Sequence, residues 1–432
     1  MTNKIRNFWR RLGPGLVTGA ADDDPSGIIT YSVAGAKFGL AMLWTAIFTL
    51  PFMIIIQRMA GRIGLISGKG LAGNMKKYYP HWLLVIISLI IVIANIINIG
   101  ADISGVSAAA TLLVPSLSPI VFSILISVII ITSLIFFSYR QIAHYLKWFA
   151  LAMFAYILAV FFVEQHWLEI LYRSLIPQIV WSKDYLLILA AVFGTTISPY
   201  LFFWQASEEV EEEKRHAHPH PEDAPMIPDI RPHGTHRSDK IIKNEIGSMY
   251  QDVRYGMFFS NLITFFIIIL AASTLSRSGS FNITTVEQIA SALRPLAGPY
   301  ANLLFLIGIL ASGILAIPVL AGSAAYALAE LFGWKYGFDN KFGKAKQFYI
   351  IIILATLLGV LIPILKLQPV EILFYTAVIY GLISPILILL LIHMANNPKI
   401  MGKYTSRTHS NVIAYILFFI MATSTVLSLV LW

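Results

Sequence analysis

Residues 19–30 read Gly-Ala-Ala-Asp-Asp-Asp-Pro-Ser-Gly-Ile-Ile-Thr and lie inside an apolar segment at 12–40. Apolar, helix-forming sequence stands on both sides. Pro25 has no backbone N–H, and its ring clashes with the preceding turn. Ser26 and Gly27 follow, both poor helix formers. A helix of about 28 residues therefore divides into halves of about 13, each near 20 Å and too short to cross a bilayer alone. Residues 193–200, Phe-Gly-Thr-Thr-Ile-Ser-Pro-Tyr, repeat the device, with Pro199 lying 174 positions after Pro25. Two broken helices in corresponding places point to a secondary-transporter fold with its site at the bilayer midplane. Residues 24–27 and 195–198 are expected to be non-helical and to face each other there.

Working outward, apolar segments recur from end to end. Eleven are expected to span: 12–40, 42–57, 82–108, 118–138, 144–163, 185–206, 253–275, 300–331, 347–365, 370–393 and 411–431. Hydrophobic residues make up 57% of the 432, and charged residues 12%. Soluble domains carry about 25% charged residues, so this chain could not dress a soluble surface. The fold class is an all-α polytopic membrane protein. Spans one to five and six to ten form two five-helix halves, each opening on a broken helix. An odd number of spans per half sets the halves inverted, and an eleventh helix is added. The chain divides into 1–206 (first repeat and broken sixth helix), 207–252 (a linker), 253–393 (the rest of the second repeat) and 394–432 (the extra helix).

The net charge of +9 reads as a topology signal rather than a nucleic-acid surface. With a cytoplasmic N-terminus, 25 of the 31 lysines and arginines fall on the cytoplasmic side. The other six are Lys37, Arg173, Lys183, Arg277, Arg294 and Lys366. The positive-inside rule then places the C-terminus outside, in a multi-pass protein of the inner (plasma) membrane. There is no cysteine, which excludes disulfides, thiolate metal sites and cysteine nucleophiles.

The 207–252 segment breaks the apolar pattern. It holds Glu208, Glu209, Glu211, Glu212 and Glu213, and His216, His218, His220, His233 and His236, half of the chain's ten histidines. Its prolines disfavour a helix through the middle. His216, His218 and His220 could bind a transition metal, but a solvated loop is the favoured reading. The glutamates could gather cations at the cytoplasmic mouth or pair with Arg6, Arg10 and Arg11.

Asp24 at the first break is costly in a membrane without a partner. Unwinding also frees carbonyls, which a cation can satisfy. Carbonyls, hydroxyls and one or two carboxylates make a hard oxygen site.

At these residues the chain resembles the Nramp family of divalent-metal transporters, and most of all its magnesium-transporting branch. The family's Asp-Pro-Gly-Asn stands here as Asp24-Pro25-Ser26-Gly27. Its sixth-helix Ala-x-x-Met-Pro-His is Thr195-Thr196-Ile197-Ser198-Pro199-Tyr200. Its third-helix Thr-Asp-Leu-Ala-Glu-Val is Ala101-Asp102-Ile103-Ser104-Gly105-Val106. The resemblance covers spans one to ten and implies the leucine-transporter type of inverted repeat with alternating access. It also implies a metal site of Asp24, the Gly27 position, Thr195 and Ser198, with Asp102 nearby. The family's Asn and Met ligands are here Gly27 and Ser198. Losing the thioether removes a preference for softer metals, and a wider, harder site suits Mg²⁺, which keeps several waters. The histidines of proton-coupled members are Tyr200 and Gln205 here, and span nine carries no arginine. Asp102 remains, either as an outer-shell acid for hydrated metal or satisfied by neighbours such as Asn98. Asn95 and Asn98 could be helix-packing residues or site residues.

The expected function is alternating-access transport of Mg²⁺ and Mn²⁺ without proton coupling. The ions are substrates, and no cofactor or obligatory protein partner is expected beyond the lipid bilayer. A proton-coupled Mn²⁺/Fe²⁺ importer is the nearest rival. In an amino-acid symporter, Asp22–Asp24 would repel the substrate carboxylate. An intramembrane enzyme lacks any His-Glu-x-x-His or Gly-x-Ser-x-Gly motif.

Overall fold

The computed structural model describes residues 18–19, 21–136, 153–217, 239–365 and 367–430. The expectations for Arg6, Arg10 and Arg11, for the start of the first and fifth spans, for Lys366, and for His218, His220, His233 and His236 lie outside them. The principal helices are α1 Pro25–Phe38, α2 Trp44–Ser67, α3 His81–Leu113, α4 Pro119–Phe136, α5 Lys183–Thr196, α6 Pro199–Ala217, α7 Asp239–Ala271, α8 Ala301–Phe332, α9 Lys346–Gly359, α10 Pro369–Asn396 and α11 Thr408–Val430. No strand occurs among the described residues. Nine helical stretches among them are long and apolar enough to cross a membrane, with α5 and α6 taken together. The remaining two of the expected eleven are the broken first span and the fifth, of which Phe154–Val160 is helical.

Both breaks are present, but each is narrower than expected. Around the first, residues 18, 19, 21 and 22 are helical, Asp23 and Asp24 are not, and α1 begins at Pro25. Around the second, α5 continues through Thr196, Ile197 and Ser198 leave the helix, and α6 begins at Pro199. Gly27, Thr195 and Thr196 are thus helical. The cause is local: at the first position of a helix proline forfeits no hydrogen bond and its φ is already helical. Each proline restarts a helix instead of sitting in a longer unwound stretch. Pro318 and Pro385 lie inside α8 and α10, which continue through them.

The helices of the expected linker reach further than its composition suggested. α6 runs to Ala217 and α7 starts at Asp239. Glu208 and Glu211 are buried on α6 and accept hydrogen bonds from the Tyr326 hydroxyl of α8 at 3.1 and 2.5 Å. Glu211 also accepts from the Phe338 amide at 3.2 Å. These acids hold α6 to the turn after α8 rather than lining an open mouth.

α3 packs against α1, α4, α8, α9 and α10, while α6 and α7 pack on α2, and α1 on α7. The broken elements occupy the interior: α5 is buried from Tyr185 to Thr196 almost without interruption. On α4, Val121, Ile124, Leu125, Val128 and Ile129 are exposed, a stripe suited to lipid. Helices meet at small residues, as expected where apolar burial alone cannot drive association in lipid. A Cβ on Gly194 of α5 would stand 2.0 Å from the Ala377 carbonyl oxygen of α10, and one on Gly381 2.4 Å from the Ala190 oxygen. Gly194→Leu is therefore expected to break the α5–α10 contact. Overpacking costs about 1–3 kcal/mol even where neighbours can shift, and backbone cannot. A wild-type melting temperature and a monodisperse size-exclusion peak for that variant would refute this contact.

Candidate functional site

Asp24 is the N-cap of α1. Its Oδ1 accepts from the Gly27 amide at 2.7 Å and the Ser26 hydroxyl at 2.8 Å. Its carbonyl begins the helix by accepting from the Ile28 amide at 3.0 Å. The cap fixes the carboxylate and turns its other oxygen towards α3. There Oδ2 accepts from the Asn98 side-chain amide at 2.9 Å. Asp102 lies one helical turn further along α3, on the same face. It is fully buried, and its charge and that of Asp24 act on each other. The Ser26 amide lies towards Asp102, yet neither carboxylate oxygen makes a hydrogen bond.

The second break closes on the first. A Cβ added at Gly27 would stand 3.1 Å from the Thr195 hydroxyl oxygen. The Tyr31 hydroxyl lies 3.0 Å from that of Thr196, and the Tyr200 hydroxyl donates to the Ala21 carbonyl at 2.9 Å. The expected meeting of the breaks is therefore found. Among the expected site residues, Asp24, Gly27 and Thr195 come together, with Asp102 beside Asp24. Ser198 sits in the second break, but its hydroxyl donates back to the Thr195 carbonyl at 2.6 Å. The Ile197 carbonyl accepts from Ser384 of α10 at 3.0 Å. Hydroxyls thus answer carbonyls that unwinding releases and that a cation could also satisfy. A carbonyl oxygen has a second lone pair, so this does not consume its capacity.

What the site presents is a set of buried acceptors. Both oxygens of Asp102, the Asn98 carbonyl oxygen and the Thr195 hydroxyl make no hydrogen bond, and all three residues are at most 1% exposed. Among the described residues, no group of three or more His, Asp or Glu side chains is placed to hold a metal. A cation here would need mixed carboxylate, amide and hydroxyl oxygens, which is hard-ion chemistry. The C-terminal end of α5 adds the negative pole of a helix dipole.

Asn98 was legible only as an undecided residue. Its spacing of four from Asp102 was the available signal, but its amide supports Asp24 rather than Asp102. Asn95 is a packing residue: it donates to the Leu320 carbonyl at 2.9 Å and Ser323 at 2.7 Å, and accepts from Tyr380 at 2.9 Å. The two positions at which proton-coupled proteins carry histidine are also engaged. Tyr200 is tied to the first break, and Gln205 accepts from Thr18 at 2.7 Å while donating to Glu209 at 2.8 Å.

A family model described as natural resistance-associated macrophage protein-like (Nramp) matches residues 15–431. The chain is 24% identical over 314 residues to a divalent metal cation transporter MntH of Erwinia tasmaniensis, covering 70% of this chain and 68% of that one. It is 22% identical over 320 residues to an MntH of Mesorhizobium japonicum, covering 72% and 65%. Each match thus spans about two thirds of the relative's length. The crystal structure of the Eremococcus coleocola manganese transporter with an aromatic bis-isothiourea compound superposes with a TM-score of 0.75 at 14% identity, covering 98% of this chain and 87% of that one. MhsT in complex with L-phenylalanine gives 0.62 at 14%, covering 98% of both. At such identity these likenesses speak for the fold.

Proposed function

Because the chain belongs to the Nramp family, we propose that it moves divalent metal cations across the membrane by alternating access, with Mg²⁺ and Mn²⁺ as cargo and no coupled proton. On this reading it is a transporter and not an enzyme. The observation that carries the reading is the buried acceptor set around Asp24. Its carboxylate is pre-positioned by the α1 cap and by Asn98, opposite an Asp102 without hydrogen bonds and a free Thr195 hydroxyl. A dication offsets the two carboxylates, and the remaining oxygens replace part of its water shell. Ser198 supplies no sulfur, so the site gains little preference for softer ions. A small hard ion that retains water fits such a set.

The absence of proton coupling rests on chemistry at the second break. A relay needs titratable groups in sequence. Tyr200 and Gln205 occupy the histidine positions, and both are engaged in buried hydrogen bonds. The test is flux into proteoliposomes with Mg²⁺, Mn²⁺ and Ca²⁺ compared, alongside a lumenal pH dye. Metal entry without lumenal acidification supports the reading. Proton influx that tracks metal and vanishes in Asp102→Asn would make Asp102 a proton carrier and return the chain to the proton-coupled rival.

The orientation is testable because the chain has no cysteine. Thr284 and Lys344 are exposed, on what the charge pattern makes the outer and cytoplasmic sides. Thr284→Cys is expected to react with a membrane-impermeant maleimide in intact cells, and Lys344→Cys only after permeabilisation. The reverse pattern would invert the topology.

A further inference from the structure

We propose that Asp22 and Asp23, with the hydroxyls of Ser260 and Thr264 on α7, form a second site for a hard divalent cation, distinct from the one at Asp24. Asp24 is held towards α3 by Asn98, whereas its two predecessors are held towards α7. The Ser260 hydroxyl oxygen lies 2.7 Å from Asp22 Oδ2 and 3.3 Å from Asp23 Oδ1. A hydroxyl has one proton to give, so it satisfies one carboxylate and not the pair. Asp22 Oδ1 and Asp23 Oδ2 make no hydrogen bond, and both residues are fully buried.

Thr264 is the independent sign of a ligand. It lies four residues after Ser260, on the same face of α7, and beside the Asp23 carboxyl. Its hydroxyl oxygen is buried, at 1% residue exposure, and makes no hydrogen bond. Two carboxylate oxygens and one threonine hydroxyl, from two elements, thus stand buried around one serine hydroxyl without a formed hydrogen bond.

Charge balance sets the class of ion. The charges acting on the pair are those of each other and of Asp24, all negative. Carboxylates in a membrane interior need partners. A dication offsets both, while a monovalent ion would leave one uncompensated. Two carboxylates and two hydroxyls are hard oxygen donors, suited to Mg²⁺ or Mn²⁺ with retained water.

The test counts bound Mn²⁺ by equilibrium dialysis on the purified full chain in nanodiscs. Wild type is expected to hold two ions per chain. Asp22→Asn with Asp23→Asn should hold one, and Asp24→Asn should hold one. Ser260→Ala with Thr264→Val, which keeps every carboxylate, should weaken one site by about tenfold and leave the other unchanged. That variant also serves if the double Asn variant fails to fold. One ion in wild type, two in the double Asn variant, or a second ion that proves to be Na⁺ alone would each overturn the proposal. A single ion lost in Asp24→Asn would remove this site while leaving the Asp24 reading intact.

Discussion

Asp24→Asn is expected to abolish Mg²⁺ and Mn²⁺ flux while leaving the protein folded. The variant removes the charge and puts an amide nitrogen where Oδ2 accepted from Asn98 at 2.9 Å, so Asn98 must turn its carbonyl oxygen, which makes no hydrogen bond, towards that nitrogen. An amide oxygen can still accept from the Gly27 amide and the Ser26 hydroxyl, the contacts that cap α1 at 2.7 and 2.8 Å. Asp24→Ala would also lose the cap, at about 0.5–2 kcal/mol, so the Asn variant is the cleaner probe. Without the carboxylate, an entering dication meets a site with one negative charge fewer, in surroundings that screen poorly. Removing one partner of a buried charge pair costs about 3–5 kcal/mol, roughly two to four orders of magnitude in affinity. The measurement is initial flux in proteoliposomes, with a size-exclusion profile to confirm folding. Flux near wild type in a folded Asp24→Asn would take Asp24 out of the site.

The second large effect concerns selectivity. Ser198→Met together with Gly27→Asn, the substitutions that restore the family's ligand types, is expected to shift preference towards Mn²⁺, because a thioether favours the softer ion. The structure adds a condition. A Cβ at position 27 would stand 3.1 Å from the Thr195 hydroxyl, in the position where the family carries alanine. The two residues are complementary: the smallest one faces the added hydroxyl. The double variant should therefore transport poorly, and adding Thr195→Ala should recover flux with Mn²⁺ favoured over Mg²⁺ by at least about tenfold relative to wild type, or about 1.4 kcal/mol. Competition between the two ions, measured in wild type and the triple variant, reads this directly. An unchanged Mg²⁺ to Mn²⁺ ratio in a folded, active triple variant would exclude Ser198 and Gly27 as selectivity positions. Strict Mn²⁺ selectivity in wild type, unmoved by a large excess of Mg²⁺, would contradict the magnesium assignment at its root.

Much of the fold was legible in sequence because the decisive signals are local. Apolar length defines a span, and proline chemistry defines a break. The position of each break was also written locally, in Asp24 as a cap and in Pro25 and Pro199 as first helical residues, although a wider unwound stretch was expected. Asp24 could be singled out because a carboxylate amid apolar sequence needs a reason.

The partners of those residues were set by tertiary structure alone. In lipid, both faces of a helix are apolar, so hydropathy does not say which face meets protein. α3 carries Asn95, Asn98 and Asp102 in one apolar run, yet Asn95 holds α8 and α10 together while Asn98 orients Asp24. Three consecutive aspartates look alike in sequence, but Asp24 is held by α3 and Asp22 and Asp23 by α7. Glu208 and Glu211 read as solvated until α6 extends and brings them to Tyr326. Sequence by itself determined that apolar helices cross repeatedly, where two of them break and which carboxylate lies at the break. Only packing decided which oxygens converge, because that depends on the rotation of each helix against neighbours distant in the chain.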